Sequence, residues 1–275
     1  MVRYLFLSLF FFVFLIKPKA QVDTSFWFVA PDISATMGQS PIELHIQTYS
    51  QPATVYVRQP ANLATGVNLT FTMAANTLSV SNLTGSITTV ESAPTNSVSN
   101  KGIYISSTSN VSVYYTIGSG NNKEMLSLKG QRAKGVDFYT PFPNSILSTT
   151  SFTDAGVGFD VVATNTGVTT ILVTPRAACV GRAKNVTFAR TLLQGETFSM
   201  RDNNAVNPSE LAGSIVSADQ PITVTISGSI RTSTALCPSY FADQITTSAE
   251  IGKQHIIIKG EGTSDVAYVL AHLNS

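Results

Sequence analysis

The chain predicts an all-β protein built as two tandem β-sandwich-like units, and three observations carry that reading. The stretches KGIYISSTSNVSVYYTIG, starting at Lys101, and LAGSIVSADQPITVTISG, starting at Leu211, align with Gly102 on Gly213, Ser106 on Ser217, Val111 on Ile222 and Val113 on Val224, a constant offset of 111 residues. Apolar positions within each alternate with polar ones, the period-2 signature of half-buried strands. Along the whole chain such runs recur about every ten residues with Gly, Pro, Asn and Ser between them, and a sustained helical period is missing. Each signature is expected to be two short strands joined by a tight turn, at Ser107–Asn110 in one and Ala218–Pro221 in the other.

The order along the chain begins with a leader. Arg3 supplies a positive start, Tyr4 to Ile16 is an unbroken apolar run, and Ala20 offers a small residue before Gln21. Residues 1–20 are therefore expected to be a secretory signal peptide, the run being short for a membrane span. Pro18 at the third position before the cut leaves an uncleaved anchor as the alternative. Without the leader, 14 of the 17 basic residues face 16 acidic ones, with no basic stripe to neutralise a phosphate backbone, so a nucleic-acid partner is not expected. Only 12% of residues are charged. Such hydroxyl-rich strands suit a secreted or cell-surface β protein.

The first unit is expected over 22–136 and the second over 137–275. Their elements follow the same order. Phe26-Trp27-Phe28-Val29-Ala30-Pro31 and Phe138-Tyr139-Thr140-Pro141 follow Asp23 and Asp137; Ile42, Leu44, Ile46 alternate as Phe159, Val161, Ala163 do. Then come Ala53–Val57 and Thr169–Val173, Asn68–Phe71 and Asn185–Phe188, and after the signatures Ser127-Leu128 with Gly135 and Gln244-Ile245 with Gly252. A period of about 115 residues exceeds solenoid repeats and fits one sandwich per copy. Short helical turns are expected near Lys123–Leu128 and Asp243–Ile251. Asp265–Ala271 reads as a strand that either completes the second unit or opens a further one.

Candidate chemistry is sparse. His45, His255 and His272 share no ligand spacing and read as surface or core imidazoles. Asp154–Gly158 and Arg201–Asn204 lack the spaced carboxylates of a calcium loop and read as turns. No Gly-x-Ser-x-Gly elbow occurs, and Asp137, Asp160, Asp219 and Asp243 read as turn or strand-end residues, so no catalytic, cofactor or metal site is expected. Phe26, Trp27, Phe28, Tyr114, Tyr115, Phe138 and Tyr139 are either core packing or a stacking platform for a ligand. Asn68, Asn82, Asn110 and Asn185 head glycosylation sequons. Cys179 and Cys237 are either two unpaired small hydrophobes or a disulfide; a loop of this length would add roughly 4 kcal/mol.

Taken together, the opening aromatic strand Phe26–Pro31, Gln51–Val55 with Gln59-Pro60-Ala61-Asn62, the Gly102 signature, Leu211–Ser217 with Pro221-Ile222, and Asp243-Gln244 resemble the N-terminal domain of the IgG Fc-binding protein family, as found in exported bacterial surface proteins. The resemblance implies a secreted, non-enzymatic β module that often precedes adhesion or anchoring domains, with antibody binding attached to the family name. The expected function is a cell-surface interaction or adhesion module for a protein or glycoprotein partner. A carbohydrate-binding module and a structural spacer are the alternatives. Oligomeric state is left open.

Overall fold

The computed structural model describes residues 21–33, 38–118, 123–142, 157–203, 211–230 and 239–252. Strands follow in the order β1 (Asp23–Phe28), β2 (Ile42–Thr48), β3 (Ala53–Arg58), β4 (Asn68–Met73), β5 (Leu78–Asn82), β6 (Val98–Ser99), β7 (Ile103–Ile117), β8 (Glu124–Ser127), β9 (Gly135–Tyr139), β10 (Val157–Ala163), β11 (Thr169–Thr174), β12 (Phe188–Leu192), β13 (Thr197–Arg201), β14 (Ile215–Ile230) and β15 (Ser239–Gln244). Between β5 and β6 lies one helical turn, Ile87–Val90.

They form two antiparallel sheets, each curled into a half-barrel or near-barrel. The first runs β4-β3-β7-β2-β5, with β1 and β8 also on β7; the second runs β12-β11-β14-β10-β13-β6, with β9 and β15 also on β14. Alternation decides which side chains go in. In β3, Ala53, Val55 and Val57 are buried while Thr54, Tyr56 and Arg58 face out, and β11 buries Thr169, Ile171 and Val173 in the same rhythm.

The two signatures differ from expectation. Each is one continuous strand, β7 and β14, and not a hairpin. The reason is visible in the pairing: the first half of β7 lies between β1 and β3, the second half between β2 and β8. Staying extended therefore pairs both halves on both sides, where a reversal would leave four neighbours without partners. The turn-forming residues become an irregularity in the middle of the strand. There the Thr54 amide donates to Thr108 Oγ1 at 2.9 Å, and the Thr170 amide donates to Asp219 Oδ1 at 2.8 Å. Pro221, which has no amide hydrogen to give a ladder, sits in the same irregular stretch. Its carbonyl accepts from Thr164 Oγ1 at 2.7 Å.

The expected helical turn at Lys123–Leu128 is also replaced, because β8 completes the open side of β7 and buries Leu126. Near the other expected turn, Ser248–Glu250 forms a short 3-10 turn after β15.

Each sheet encloses a core. Phe26, Phe28, Leu44, Ile46, Ile105 and Tyr115 fill the first; Phe138, Phe159, Val161, Phe198, Val224 and Ile226 fill the second. Two exchanges cross between them. β6 leaves the first half of the chain to pair with β13, and Tyr240 and Ala242 of β15 pack into the first core. Among the described residues, no helix is long and apolar enough to cross a membrane.

Candidate interaction site

The sheets meet along a seam organised by Trp27. Its ring stacks on Tyr104, with centroids 4.6 Å apart, and packs with Val29 and Val162. Its carbonyl accepts from Gln244 Nε2 at 2.7 Å and from Thr223 Oγ1 at 3.3 Å. Gly102 closes the seam from below. Its amide donates to the Gly195 carbonyl at 3.0 Å, and a Cβ there would lie 2.4 Å from Val162 Cγ2. That contact explains why the signature carries glycine at this position. Its partner in the alignment, Gly213, instead occupies a left-handed turn, with φ +77°, ahead of β14.

The seam also buries charge. Asp160, in the middle of β10 and fully buried, pairs with Arg201 at 2.8 Å. Burial pushes the Asp160 carboxyl above the usual carboxylate range, against the pull of Arg201. Burial alone would lower the Arg201 guanidinium, but Asp160, Asp32 and Asp202 together hold it above its ordinary value. Glu91, bridged to Ala30, is pushed up to about 8 by burial and then by Asp32, with Lys101 and Arg201 acting the other way.

Glu91 makes stability pH-dependent. Its ordinary value is 4.5, so between there and about 8 the folded chain keeps a proton that the unfolded chain has lost. Stability from this group is complete below the lower value and is lost as pH rises through the upper one. Glu91→Gln is expected to flatten that decline and to exceed the wild type in stability at about pH 9. Urea midpoints across the range would check it.

The other residues singled out from sequence fall as follows. Phe26, Phe28, Tyr115 and Phe138 are core residues, and Trp27 is buried in the seam, so these aromatics form no exposed platform; Tyr114 and Tyr139 are half-buried. Asp160 is a mid-strand buried group, and Asp137 and Asp219 also lie inside β9 and β14, so none of the three is the turn or strand-end residue expected. Asp137, Asp219 and Asp243 are exposed, the last paired with Lys129 at 2.6 Å. Ser106 and Ser217 pair at equivalent places, opposite Tyr56 and Leu172, while Val111 and Ile222 are core. His45 lies on the outer side of β2, with Nε2 3.3 Å from Glu43 Oε2. In the second turn-like stretch, Arg201 is the last residue of β13 and not a turn residue, and Asp202 bridges Cys179. The four sequon asparagines are exposed. Cys179 is buried. Its proposed partner Cys237 lies outside the described residues, as do the leader, Asp154, His255, His272 and the terminal strand at Asp265–Ala271.

An outward face of the second sheet was not singled out from sequence. Leu172 on β11 is 45% exposed, and Val168 and Leu193, at the adjoining strand ends, are 59% and 53% exposed. Leu172 stands opposite Ala189, and Thr170 opposite Thr191, so the three apolar side chains and two threonines share one patch, edged by Asp219 and Glu196, whose carboxylates accept from the Thr170 and Leu193 amides. Tyr56, 40% exposed, takes the corresponding place on the first sheet, with Arg58 over its ring at 5.4 Å. A leucine on the outward phase of the 169–174 alternation is the signal that would have found it. Isolated exposed leucines are ordinary, but three apolar side chains beside hydroxyls, with carboxylates at the edge, suit a contact surface with an apolar centre and a polar rim.

Among the described residues no group of three or more His, Cys, Asp or Glu is placed to hold a metal. The family model described as IgGFc binding protein matches residues 126–274, just over half of the chain, and spans the Leu172 patch. No curated protein matches the chain.

Proposed function

The chain belongs to the IgG Fc-binding protein family, and we propose that it is an exported, non-enzymatic module that binds a protein or glycoprotein partner at the cell surface. The observation that carries this reading is the exposed apolar patch of Val168, Leu172 and Leu193 with Thr170 and Thr191, edged by the carboxylates of Asp219 and Glu196, which lies on an outer sheet face within the family match. Rigid strands hold it, so a partner meets a surface whose ordering cost is already met by the fold. Hydroxyls and apolar side chains together suit a protein surface, an Fc-like one being what the family name suggests. Burial of Trp27, Phe26 and Phe28 removes the stacking platform on which the carbohydrate reading rested. We also propose that the two sheets are copies of one sandwich-like unit. The matching strand orders support this, as do equivalent registers such as Val55 opposite Ser107 and Ile171 opposite Ala218.

The test is binding of the purified chain to immobilised IgG Fc and to surface glycoproteins. Leu172→Asp is expected to raise Kd by about tenfold or more, on the order of 1.4 kcal/mol, while leaving the fold intact. Tyr56→Asp is expected to change it less. Failure of the folded wild-type chain to bind any of these would overturn the reading.

A further inference from the structure

Arg190 stands where the first sheet has an apolar residue. Register fixes the correspondence: Phe71 of β4 lies opposite Val55, and Arg190 of β12 lies opposite Ile171, the equivalent position. Phe71 packs against the first core, as Phe188 does against the second. The connections before these strands differ in the same sense. Residues 59–67, between β3 and β4, carry no charge, whereas residues 175–187, between β11 and β12, carry Arg176, Arg182 and Lys184. Between Asp160 and Glu196 the chain holds these three cations, Arg190 and no acid.

The fold gathers them around one strand. The Asn185 amide donates to the Pro175 carbonyl at 2.7 Å, which brings Lys184 back to the start of the connection at Arg176. Arg182 and Arg190 both lie over the ring of Phe188, their guanidinium carbons 4.1 and 5.3 Å from its centroid, and Arg190 is also 5.6 Å from that of Phe198. An arginine stacked on a ring is held in place with its N–H fork free to grip a carboxylate by two parallel hydrogen bonds. Arg182 Nε donates to Asn96 Oδ1 at 3.0 Å, and one Arg190 nitrogen donates to the Ala189 carbonyl at 2.9 Å. Each guanidinium has five N–H donors, so most have no acceptor among the described residues. None of the four cations forms an ion pair among those residues.

A single inward charge on an edge strand guards it against unwanted pairing. Two half-buried guanidinium groups on one ring, both without a carboxylate, go beyond that need. They flank the Leu172 patch, since Ala189, opposite Leu172, lies between Phe188 and Arg190 on β12. The patch is edged by Asp219 and Glu196 at its other end, so this surface is acidic at one end and basic at the other and can orient a charged partner. A sugar ring would stack on an open aromatic face, but Phe188 is overlaid by arginine. A carboxylate needs only the N–H forks.

We propose that Arg182 and Arg190, with Arg176 and Lys184 around them, bind the carboxylates of an acidic peptide segment on the protein partner, at the rim of β12 beside Leu172. This names the partner's chemistry for the surface proposed above, and rests on that reading only in placing the segment next to Leu172.

Fluorescence polarisation of a labelled peptide of about ten glutamates, titrated with the full chain at about 50 mM salt, where screening is weak, tests it. Saturable binding is expected. Arg182→Gln and Arg190→Gln are each expected to weaken it about tenfold or more, and Arg132→Gln, which removes an exposed cation from the first half of the chain, is expected to leave it unchanged. Arg182→Lys and Arg190→Lys, which keep the charge without the planar fork, are expected to weaken it about threefold or more. Circular dichroism would establish that each variant is folded. The proposal is overturned by a wild type that leaves the peptide unbound at about millimolar concentration, by an equal loss in Arg132→Gln, by lysine variants that bind as the wild type does, or by preference for heparin, a sulfated sugar chain, over the peptide. A chain that holds the peptide through both arginines yet binds neither Fc nor surface glycoproteins would overturn the earlier reading alone. Fc binding that is sensitive to Leu172→Asp and indifferent to both arginines would overturn the acidic-peptide site alone.

Discussion

Replacing Arg201 with Met is expected to destabilise the fold by about 3–5 kcal/mol at neutral pH, the range for a buried ion pair that loses one partner. Arg201 is the cation paired with Asp160, and Asp32, Asp202 and Glu91 also lie within its field. Without it, a fully buried carboxylate and its acidic neighbours would face one another in a medium that screens poorly. Asp160→Asn is expected to cost less, because the remaining acids still neutralise Arg201. The double variant Asp160→Asn, Arg201→Met is expected to recover part of the loss, since removing both charges takes away the uncompensated one. Urea unfolding of the four proteins gives the cycle. Acidification should restore Arg201→Met more than the wild type: Asp160 and Glu91 both have raised values when folded, so the folded state takes up protons first as pH falls. Equal costs for the two single variants would mean that Asp160 is the only acid Arg201 serves.

Trp27→Ala is expected to cost about 3–5 kcal/mol, the usual range for deleting a buried large aromatic side chain. The loss falls on the seam, because the ring packs on Tyr104, Val29 and Val162. Trp27→Phe should retain more of it. Trp27 is also the chain's single tryptophan, so its fluorescence reports the joint between the sheets directly. In the wild type, the red shift on denaturation should coincide with loss of β-sheet circular dichroism. In a variant with a weakened seam, such as Gly102→Val, which would crowd Val162, the fluorescence change should come first. Coincident transitions in that variant would show that the sheets do not come apart before they unfold.

How far these features could be read from sequence follows from what each depends on. Strand positions depend on local alternation, and Ile42, Leu44 and Ile46, or Val55 and Val57, announce their buried phase without help from elsewhere. Ser107–Asn110 and Ala218–Pro221 carry turn residues, and local preference favours a reversal. Neighbours on both sides of each half-strand override it, and those neighbours are distant in sequence. Burial of Asp160 and Glu91 depends on one half of the chain lying against the other, which no local pattern records. One clue was present. VGFDVVA in β10 is apolar at nearly every position, the mark of a strand covered on both faces, and an aspartate inside such a run must find a cation. The aromatic cluster was legible as core or platform but not as which, since the choice turns on what lies over Trp27. Leu172 was in plain view as an outward residue in an alternating strand, and its meaning appears only when Val168 and Leu193 are brought beside it.

The placing of Tyr240 and Ala242 in the first core bears on the order in which the chain can become a protein. The hydroxyl of Tyr240 donates to the Ile117 carbonyl at 2.7 Å, and Gln244 reaches back to Trp27. During synthesis the amino-terminal sheet can draw its own strands together early, but its interior stays unsealed until residues more than a hundred positions later have emerged. Contacts of such long range are slow to form. Until then the first sheet lacks Tyr240 and Ala242, and its core closes only once β15 has been made.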